Sequence, residues 1–553
     1  VSPLSEKIWQ SKQAGPFMAA LVSLIAIIIS IDAAGEYPAT YAGPGITIDE
    51  SFNVQQGVRL IEGLKGILVG SLTMREVFGD VDDLSPEQAQ RFGYHLPDHP
   101  PLGRIWLGCW HHIAWGCIPP YQSVSFFSTD CARSGSAVAF ALLVYLIGST
   151  STYCSGRLAG VVAAASVVLM PRVFGHAHLA SLETVTTLSY AGVILYVACY
   201  WNHDHPPKHK TALITGLLWG LALLTKIQAI LLPVPIVFWA LLHWRHKAIL
   251  PLIICGVTGF ALFFIGWPWL WLDPITHLQN YFGSTTNRVM LHVYYFGTVY
   301  QDKQTPWHYP FVMTLLTIPI GLLALFLYRM LLGGADKVWM NPRSQLLLGS
   351  IAFPLCLFAV PGVAVYDGVR LFVMVFPLLA IFVGEAVQLL WQRYAQKWNQ
   401  ILLAALLTLL MLTQSAGLLL YAPCWFSYYN LLIGGLPGAR RVGLETTYWG
   451  ESLTRDLLTE ITERVPAGSV LVVAPVLHQF QLNDVLTQSP ILRGHQIQLA
   501  SQQQAPLEQA RYLLVFDRRA DLSPHLQALV QDAEILAETR RLGVPLARLY
   551  RIR

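Results

Sequence analysis

Long apolar stretches broken by short polar connections run through the first 420 residues of this chain. Stretches suited to a bilayer, which takes about 17 to 25 residues per helix, fall near Phe17 to Ile31, Ser134 to Ile147, Leu158 to Met170, Thr184 to Trp201 and Thr211 to Leu224. They continue near Ile227 to Leu242, Ile249 to Ile265, Phe311 to Tyr328, Leu346 to Val360, Leu371 to Leu390 and Ile401 to Leu420. The pattern predicts an α-helical polytopic membrane protein with about eleven transmembrane helices over residues 1–420. No convincing small-residue cleavage site follows the first stretch, so it is expected to be kept as a span. Beyond Leu420 the chain turns polar. Short β-like runs at Ser469 to Ala474 and Arg511 to Phe516, separated by helical patterns such as Pro524 to Ile535, predict a small α/β domain over 421–553.

Charge orients this arrangement. With Lys7 and Lys12 on the cytoplasmic side, alternate connections carry Arg157, Lys208 with Lys210, Arg245 with Lys247, Arg329 with Lys337 and Arg343, and Arg393 with Lys397. All are basic, as the positive-inside rule requires. The opposite connections hold Asp49, Glu50, Asp98, Glu183, Asp273, Asp302 and Asp367, so carboxylates from distant loops are expected to gather on the outer face. The two large outer loops are 34–133 and 267–308. Within them Gly103 to Cys117, with Trp106, Trp110, Trp115 and paired His111-His112, reads as an amphipathic interfacial helix, and Trp267 to Trp271 as headgroup-level aromatics. An odd number of spans puts the C-terminal domain outside too.

Composition agrees: 54% of residues are hydrophobic and 12% charged, against roughly 25% charged in soluble domains. A net charge of +4 with no long basic run gives nucleic-acid binding no support. Eight cysteines lack C-x-x-C spacing, so neither a zinc site nor a disulfide framework is indicated, and Cys109 and Cys117 read as stacked on one helix face. No internal repeat of the transporter type and no glycine-rich phosphate loop are visible.

The candidate chemistry lies in the outer loops. Asp49-Glu50 follows the first span and is continued by Ser51, Asn53, Gln55 and Gln56. Such carboxylates suit the N-terminus of a helix. Beside apolar surface one of them also suits a general base that deprotonates an acceptor hydroxyl or amine. In Asp98-His99-Pro100-Pro101-Leu102-Gly103-Arg104 the prolines fix an extended entry to a helix, and His95, Asp98 and His99 form a set able to bind a divalent cation. No other cofactor is indicated. Arg172, His176, His178 and Glu183 crowd one tight turn, where Glu183 either pairs with Arg172 or faces the same cavity as Asp49. Lys226, at an outer junction, either snorkels to the interface or grips an anionic headgroup, and Arg370 and Arg288 raise the same choice.

Four elements together resemble the GT-C type polyprenyl-phosphate-dependent glycosyltransferases, in particular glycosyltransferase family 39, with its protein O-mannosyltransferases and aminoarabinose transferases. They are the Asp49-Glu50 pair, His99-Pro100-Pro101-Leu102-Gly103-Arg104 in place of a His-Pro-Pro-Leu-Gly-Lys-like sequence, the turn ending near Glu183, and Gly220 to Lys226. The resemblance spans roughly the first four hundred residues. It implies transfer of a sugar, usually with inversion, from a polyprenyl monophosphate to an acceptor at the outer face. Asp49 would be the base and Glu50 would assist it. Lys226 and Arg370 would hold the lipid phosphate, with Glu183, His99, Arg104, Arg172 and His176 as further binding residues. The chain departs from the family pattern at Glu183, where Asp is common, and at Arg104, where Lys is common. The tail, with Phe426 to Asn430 and Tyr448 to Glu451, resembles that of bacterial relatives and implies a bacterial inner membrane. The expected partners are the lipid-linked sugar, membrane lipids and an acceptor that is a protein, lipid or glycan. A polytopic transporter or lipid-binding protein is the alternative, and a catalytically dead binding protein a third reading.

Overall fold

The computed structural model describes residues 3–37, 41–80, 96–117, 127–286, 289–332, 337–475, 478–507 and 510–552. All eleven apolar stretches fall on helix. Among the described residues, five helical runs are long and apolar enough to cross a bilayer: Thr129–Ser155, Leu182–Tyr200, Ile227–Ile265, Arg370–Tyr394 and Gln400–Tyr421. A sixth is the bent pair Tyr309–Thr317 and Ile320–Leu331, which turns by 114°. Its bend follows from Pro319, which forces Ile318 into an extended conformation (φ −90°, ψ 136°) and ends the first helix there. The run Ile227–Ile265 is 39 residues long, about 58 Å as one helix against a hydrocarbon core of about 30 Å. It is broken at Arg245, whose φ is 52°, where the charge pattern places a connection. The remaining stretches are shorter helices, including Arg157–Val168, His209–Leu223 and Pro342–Phe358.

Leu182–Tyr200 and Arg370–Tyr394 are the most deeply buried of the spans. Each starts with a residue of the candidate site in its first turn. The helix His209–Leu223, which leads to Lys226, packs on Ile249–Ile265 through glycines: a Cβ on Gly259 would lie 2.3 Å from the Trp219 ring, and one on Gly216 1.8 Å from Thr258 Oγ1. Small residues let these backbones approach where lipid supplies no hydrophobic drive between helices.

Strands β1 (His292–Tyr295) and β2 (Thr298–Gln301) form a hairpin in the loop 267–308. The C-terminal domain holds β3 (Val470–Ala474), β4 (Gln498–Ser501), β5 (Tyr512–Phe516), β6 (Glu534–Arg541) and β7 (Val544–Arg551), in one sheet of order β4-β3-β5-β7-β6. β3 pairs in parallel with β4 and β5, and β7 antiparallel with β5 and β6. Leu542 and Gly543, both at positive φ, make the tight turn between β6 and β7. The sheet's core includes Leu458, Leu471, Val473, Leu514 and Leu549, and Ala33, Ala34 and Ile46, from the segment leading to Asp49, join it. Residues from Tyr421 to Leu444 instead belong to the core of the helical part.

Trp267 and Trp269 are packed inside the protein, at 0% and 3% exposure, while Trp271 is open at 43%. Trp269 stacks on His277 at 4.0 Å and donates to Asp80, so this loop is packed against the first outer loop. The helix Pro101–Cys117 is likewise packed, with Trp106 Nε1 donating to the Gly135 carbonyl. Cys109 and Cys117 are free thiols.

Candidate active site

The helix Ile48–Leu68 begins at Thr47, and its first turn carries Asp49 and Glu50. These neighbours point to different places. Glu50 has no exposed surface. Its Oε2 accepts from the Thr47 amide at 2.9 Å and from Thr47 Oγ1 at 3.0 Å, closing the helix start. Arg133 grips both carboxylate oxygens at 2.7 and 2.9 Å, and the Ala180 amide donates to Oε1 at 2.7 Å. Arg133 in turn donates to the carbonyls of Ile31, Pro44 and Gly45. Glu50, expected beside Asp49 as a reacting group, is therefore a saturated structural acceptor. The helix-start reading holds for it.

Asp49 faces an open pocket of about 50 Å³ lined by Phe52, Asn53, Asp98, His99, Arg104, Leu182, Glu183, Lys226 and Arg370. Arg370 lies across its floor. Nη2 meets Asp49 Oδ2, Nε lies 2.7 Å from Glu183 Oε1, and Nη1 lies 3.3 Å from Asp367 Oδ2. Lys226 Nζ is 2.6 Å from the same Glu183 oxygen. Lys226 is buried, at 6% exposure, and does not snorkel to the surface. The pairing of Glu183 with Lys226 and Arg370 replaces the local pair with Arg172. Two cations and two carboxylates thus hold one another in a site that still has an open side.

The opposite wall comes from the His99 to Arg104 segment. A Cβ on Gly108 would sit 2.2 Å from the Gly57 carbonyl, so these two glycines let the helices Ile48–Leu68 and Pro101–Cys117 cross closely. That crossing brings Arg104 Nε within 3.1 Å of Asn53 Oδ1. Arg104 is committed to Asp98 through two nitrogens, at 2.8 and 3.2 Å, and to the Leu96 carbonyl at 2.7 Å. Burial works against ionising Asp98, yet Arg104 and His99 hold its carboxyl down at about 2. Burial pushes His99 down to about 4 against the pull of Asp98, with Arg104 and Lys226 adding to the drop. Near neutral pH the wall therefore presents a carboxylate and a neutral imidazole.

Arg172 and His176 do not line the pocket. Arg172 donates to Tyr448 Oη at 3.1 Å and the Tyr428 carbonyl at 3.2 Å and lies 4.8 Å from the centre of the Tyr429 ring. His176 packs edge-on against Phe426 at 4.8 Å and 5.9 Å from Trp449. Burial pushes its imidazole down to about 4. Among the described residues no group of three or more His, Cys, Asp or Glu is placed to hold a metal ion. His95, and with it the set proposed for a divalent cation, lies outside the described residues, as does Arg288.

A helical membrane chain thus gathers paired carboxylates and cations, drawn from five separate segments, into one open pocket. Residues 123–271 match the dolichyl-phosphate-mannose-protein mannosyltransferase family. The match covers about a quarter of the chain and bears out the glycosyltransferase resemblance drawn from the sequence. This mannosyltransferase-like segment contains Arg172, His176, Glu183 and Lys226, while Asp49, His99, Arg104 and Arg370 lie outside it. The sequence matches no curated protein. Among solved structures the chain is similar to ArnT from Cupriavidus metallidurans in the apo state, at 12% identity over 96% of this chain and 97% of that one, with a TM-score of 0.48. The same protein bound to undecaprenyl phosphate matches at 12% identity over the same shares, with a TM-score of 0.46. The archaeal oligosaccharyltransferase AglB from Archaeoglobus fulgidus, in complex with an inhibitory peptide and a dolichol-phosphate, matches at 10% identity over 93% of this chain and 70% of that one, with a TM-score of 0.47.

Sequence reading missed two cations that organise this region. Arg133 sits in the first turns of a span, and an arginine so near hydrocarbon signals a buried partner. Arg518, from the C-terminal domain, carried no such signal. It reaches Asp367 at 3.2 Å.

Proposed function

We propose that this chain is an inverting glycosyltransferase that moves a sugar from a polyprenyl-phosphate donor to an acceptor at the outer face of the membrane. The observation that carries the reading is the convergence of Asp49, Glu183, Lys226 and Arg370 on one open pocket beside the spans. In the reaction Asp49 takes the proton of the acceptor hydroxyl or amine. The freed lone pair attacks the sugar's anomeric carbon from the face opposite the phosphate. The bond from that carbon to the phosphate oxygen breaks, and its electron pair leaves with the polyprenyl phosphate. Lys226 and Arg370 neutralise the charge that grows on the departing phosphate, the kind of preorganised stabilisation that supplies the largest part of many rate enhancements. Glu183 holds both cations in place. His99 and the Arg104–Asp98 pair form the wall on which the donor is oriented.

The basic connections favour a pocket on the outer face of a bacterial inner membrane, with the C-terminal domain, read as residues 421–553, on the same side. Arg172 and His176 support the loop that carries Tyr448 and Trp449 and act on the substrate only through it. The test is transfer from a panel of radiolabelled polyprenyl-phosphate sugars by the purified protein in lipid nanodiscs, with a crude membrane extract as acceptor. Label moving to a new product in the wild type but not in Asp49→Asn supports the assignment. Donor binding without turnover by the wild type rejects it in favour of a lipid-binding or transport role.

A further inference from the structure

Arg518 follows β5 in the C-terminal domain, and one arm of its side chain reaches outside that domain. Nε lies 2.7 Å from Asp521 Oδ2, Nη1 donates to the Tyr448 carbonyl at 2.9 Å, and Nη2 lies 3.2 Å from Asp367 Oδ1. The other oxygen of Asp367 faces Arg370 Nη1 at 3.3 Å, and Arg370 Nη2 meets Asp49. An alternating line of charges, Arg518, Asp367, Arg370, Asp49, therefore runs from the sheet domain to the carboxylate in the pocket. Asp367 is 7% exposed and has a φ of 55°, followed by Gly368 at 67°. A left-handed aspartate is uncommon and persists where its surroundings over-determine it. Here two guanidinium groups do so.

We propose that Arg518 is a positioning residue for sugar transfer: by holding Asp367 it limits how much of that carboxylate's charge falls on Arg370, and so sets how strongly Arg370 keeps Asp49 ionised. The inference rests on the reading of Asp49 as the base and deepens it. It makes the C-terminal domain part of the catalytic electrostatics and not only a docking module. The other charged groups facing Asp49 in the pocket are Asp98, His99, Arg104, Glu183 and Lys226. Arg104 and His99 hold Asp98 down at about 2 and burial holds His99 down at about 4, so the shift is read as the difference between each variant and the wild type, which share these groups. Around Arg518 the nearby acids are Asp367, Asp521, Glu445 and Glu451.

Removal of the Arg518 charge gives Asp367 wholly to Arg370 and weakens the hold on ionised Asp49. In Arg518→Gln the acid limb of kcat/KM against pH moves up, by about half to one pH unit for a charge acting through one intermediate pair. Activity returns as the pH is raised, and the donor KM stays within about twofold because Lys226 is untouched. Arg518→Lys restores most of the wild-type profile. Asp367→Asn, which suits the left-handed backbone, frees Arg370 to pair more strongly with Asp49 and moves the limb down. That opposite sign keeps the inference testable if Arg518→Gln fails to fold. A limb that stays in place in both variants, with loss of thermal stability alone, overturns it and leaves Arg518 a docking contact. A wild type that transfers no sugar overturns the reading of Asp49 and the inference together, whereas an active wild type with unmoved limbs overturns only the inference.

Discussion

Two carboxylate–arginine clusters grow from adjacent residues of one helix turn, and they differ in what is left over after pairing. Around Glu50 every oxygen is engaged, by Arg133, Thr47 and the Ala180 amide, and the carboxylate has no exposed surface. Around Asp49 the same chemistry is spread over Arg370, Glu183 and Lys226, and the Asp49 side chain is 26% exposed on an open pocket. A closed cluster fixes the path of the loop. An open one keeps charge in reserve for a ligand. The lesson is that an acidic pair at a membrane surface is not a functional unit by virtue of adjacency, because a helix places consecutive residues about 100° apart and gives each its own surroundings.

Neutralising each carboxylate in turn separates the two clusters. Asp49→Asn is expected to lower transfer by about 10²–10⁴-fold, the usual contribution of a general base, with an unchanged melting temperature. Glu50→Gln is expected to do the reverse. It leaves Arg133 buried without its counter-ion, a loss of about 3–5 kcal/mol, to be read as a lower melting temperature and poor yield in detergent. Normal stability with lost transfer in Glu50→Gln would show that the closed cluster is catalytic after all. Lys226→Gln sharpens the account of the open cluster. Lys226 both binds the donor phosphate and meets the charge growing on it, so its loss should raise the donor KM and lower kcat, each by about tenfold, measured by initial rates over a donor titration.

The smallest effect concerns the contact between the C-terminal helix Gln479–Gln488 and the helix that carries both carboxylates. Burial raises the Asp484 carboxyl from 3.8 to about 6, while Ser51 and Gln55 facing it work in the other direction. The folded state thus favours the protonated acid, so this contribution to stability is full below pH 3.8 and is lost as the pH rises through about 6. Asp484→Asn should stabilise the protein at pH 7 by on the order of 1 kcal/mol, discounted for partial exposure. The gain should fade below pH 4 in thermal melts.

Much of the helical part was legible because lipid demands long apolar runs, and all eleven fall on helix. Asp49, His99, Arg104, Glu183, Lys226 and Arg370 were also legible and converge on one pocket, since each is a charged or titratable group near hydrocarbon. Glu50 misled because its partner Arg133 lies 83 residues away and only packing joins them. Arg172 and His176 share a loop with Glu183, but the short helix Pro171–His176 turns them toward the tyrosines and Trp449. In the tail, β3 and β5 showed as runs of branched and aromatic residues. β6, Glu534–Arg541 at the sheet edge, groups Ile535, Leu536 and Ala537 together and ends in Arg540-Arg541, so it shows no alternation of period two.

Ala33, Ala34 and Ile46 complete the core of the sheet domain, Arg455 pairs with Asp32 across 423 residues, and Gln481 donates to the Ile46 carbonyl across 435. During synthesis, at about 5–20 residues per second, the loop leading to Asp49 therefore leaves the ribosome some tens of seconds before the strands that seat it. The spans can insert one by one while that loop waits without a home, and it is seated only when the late-made sheet domain folds against it.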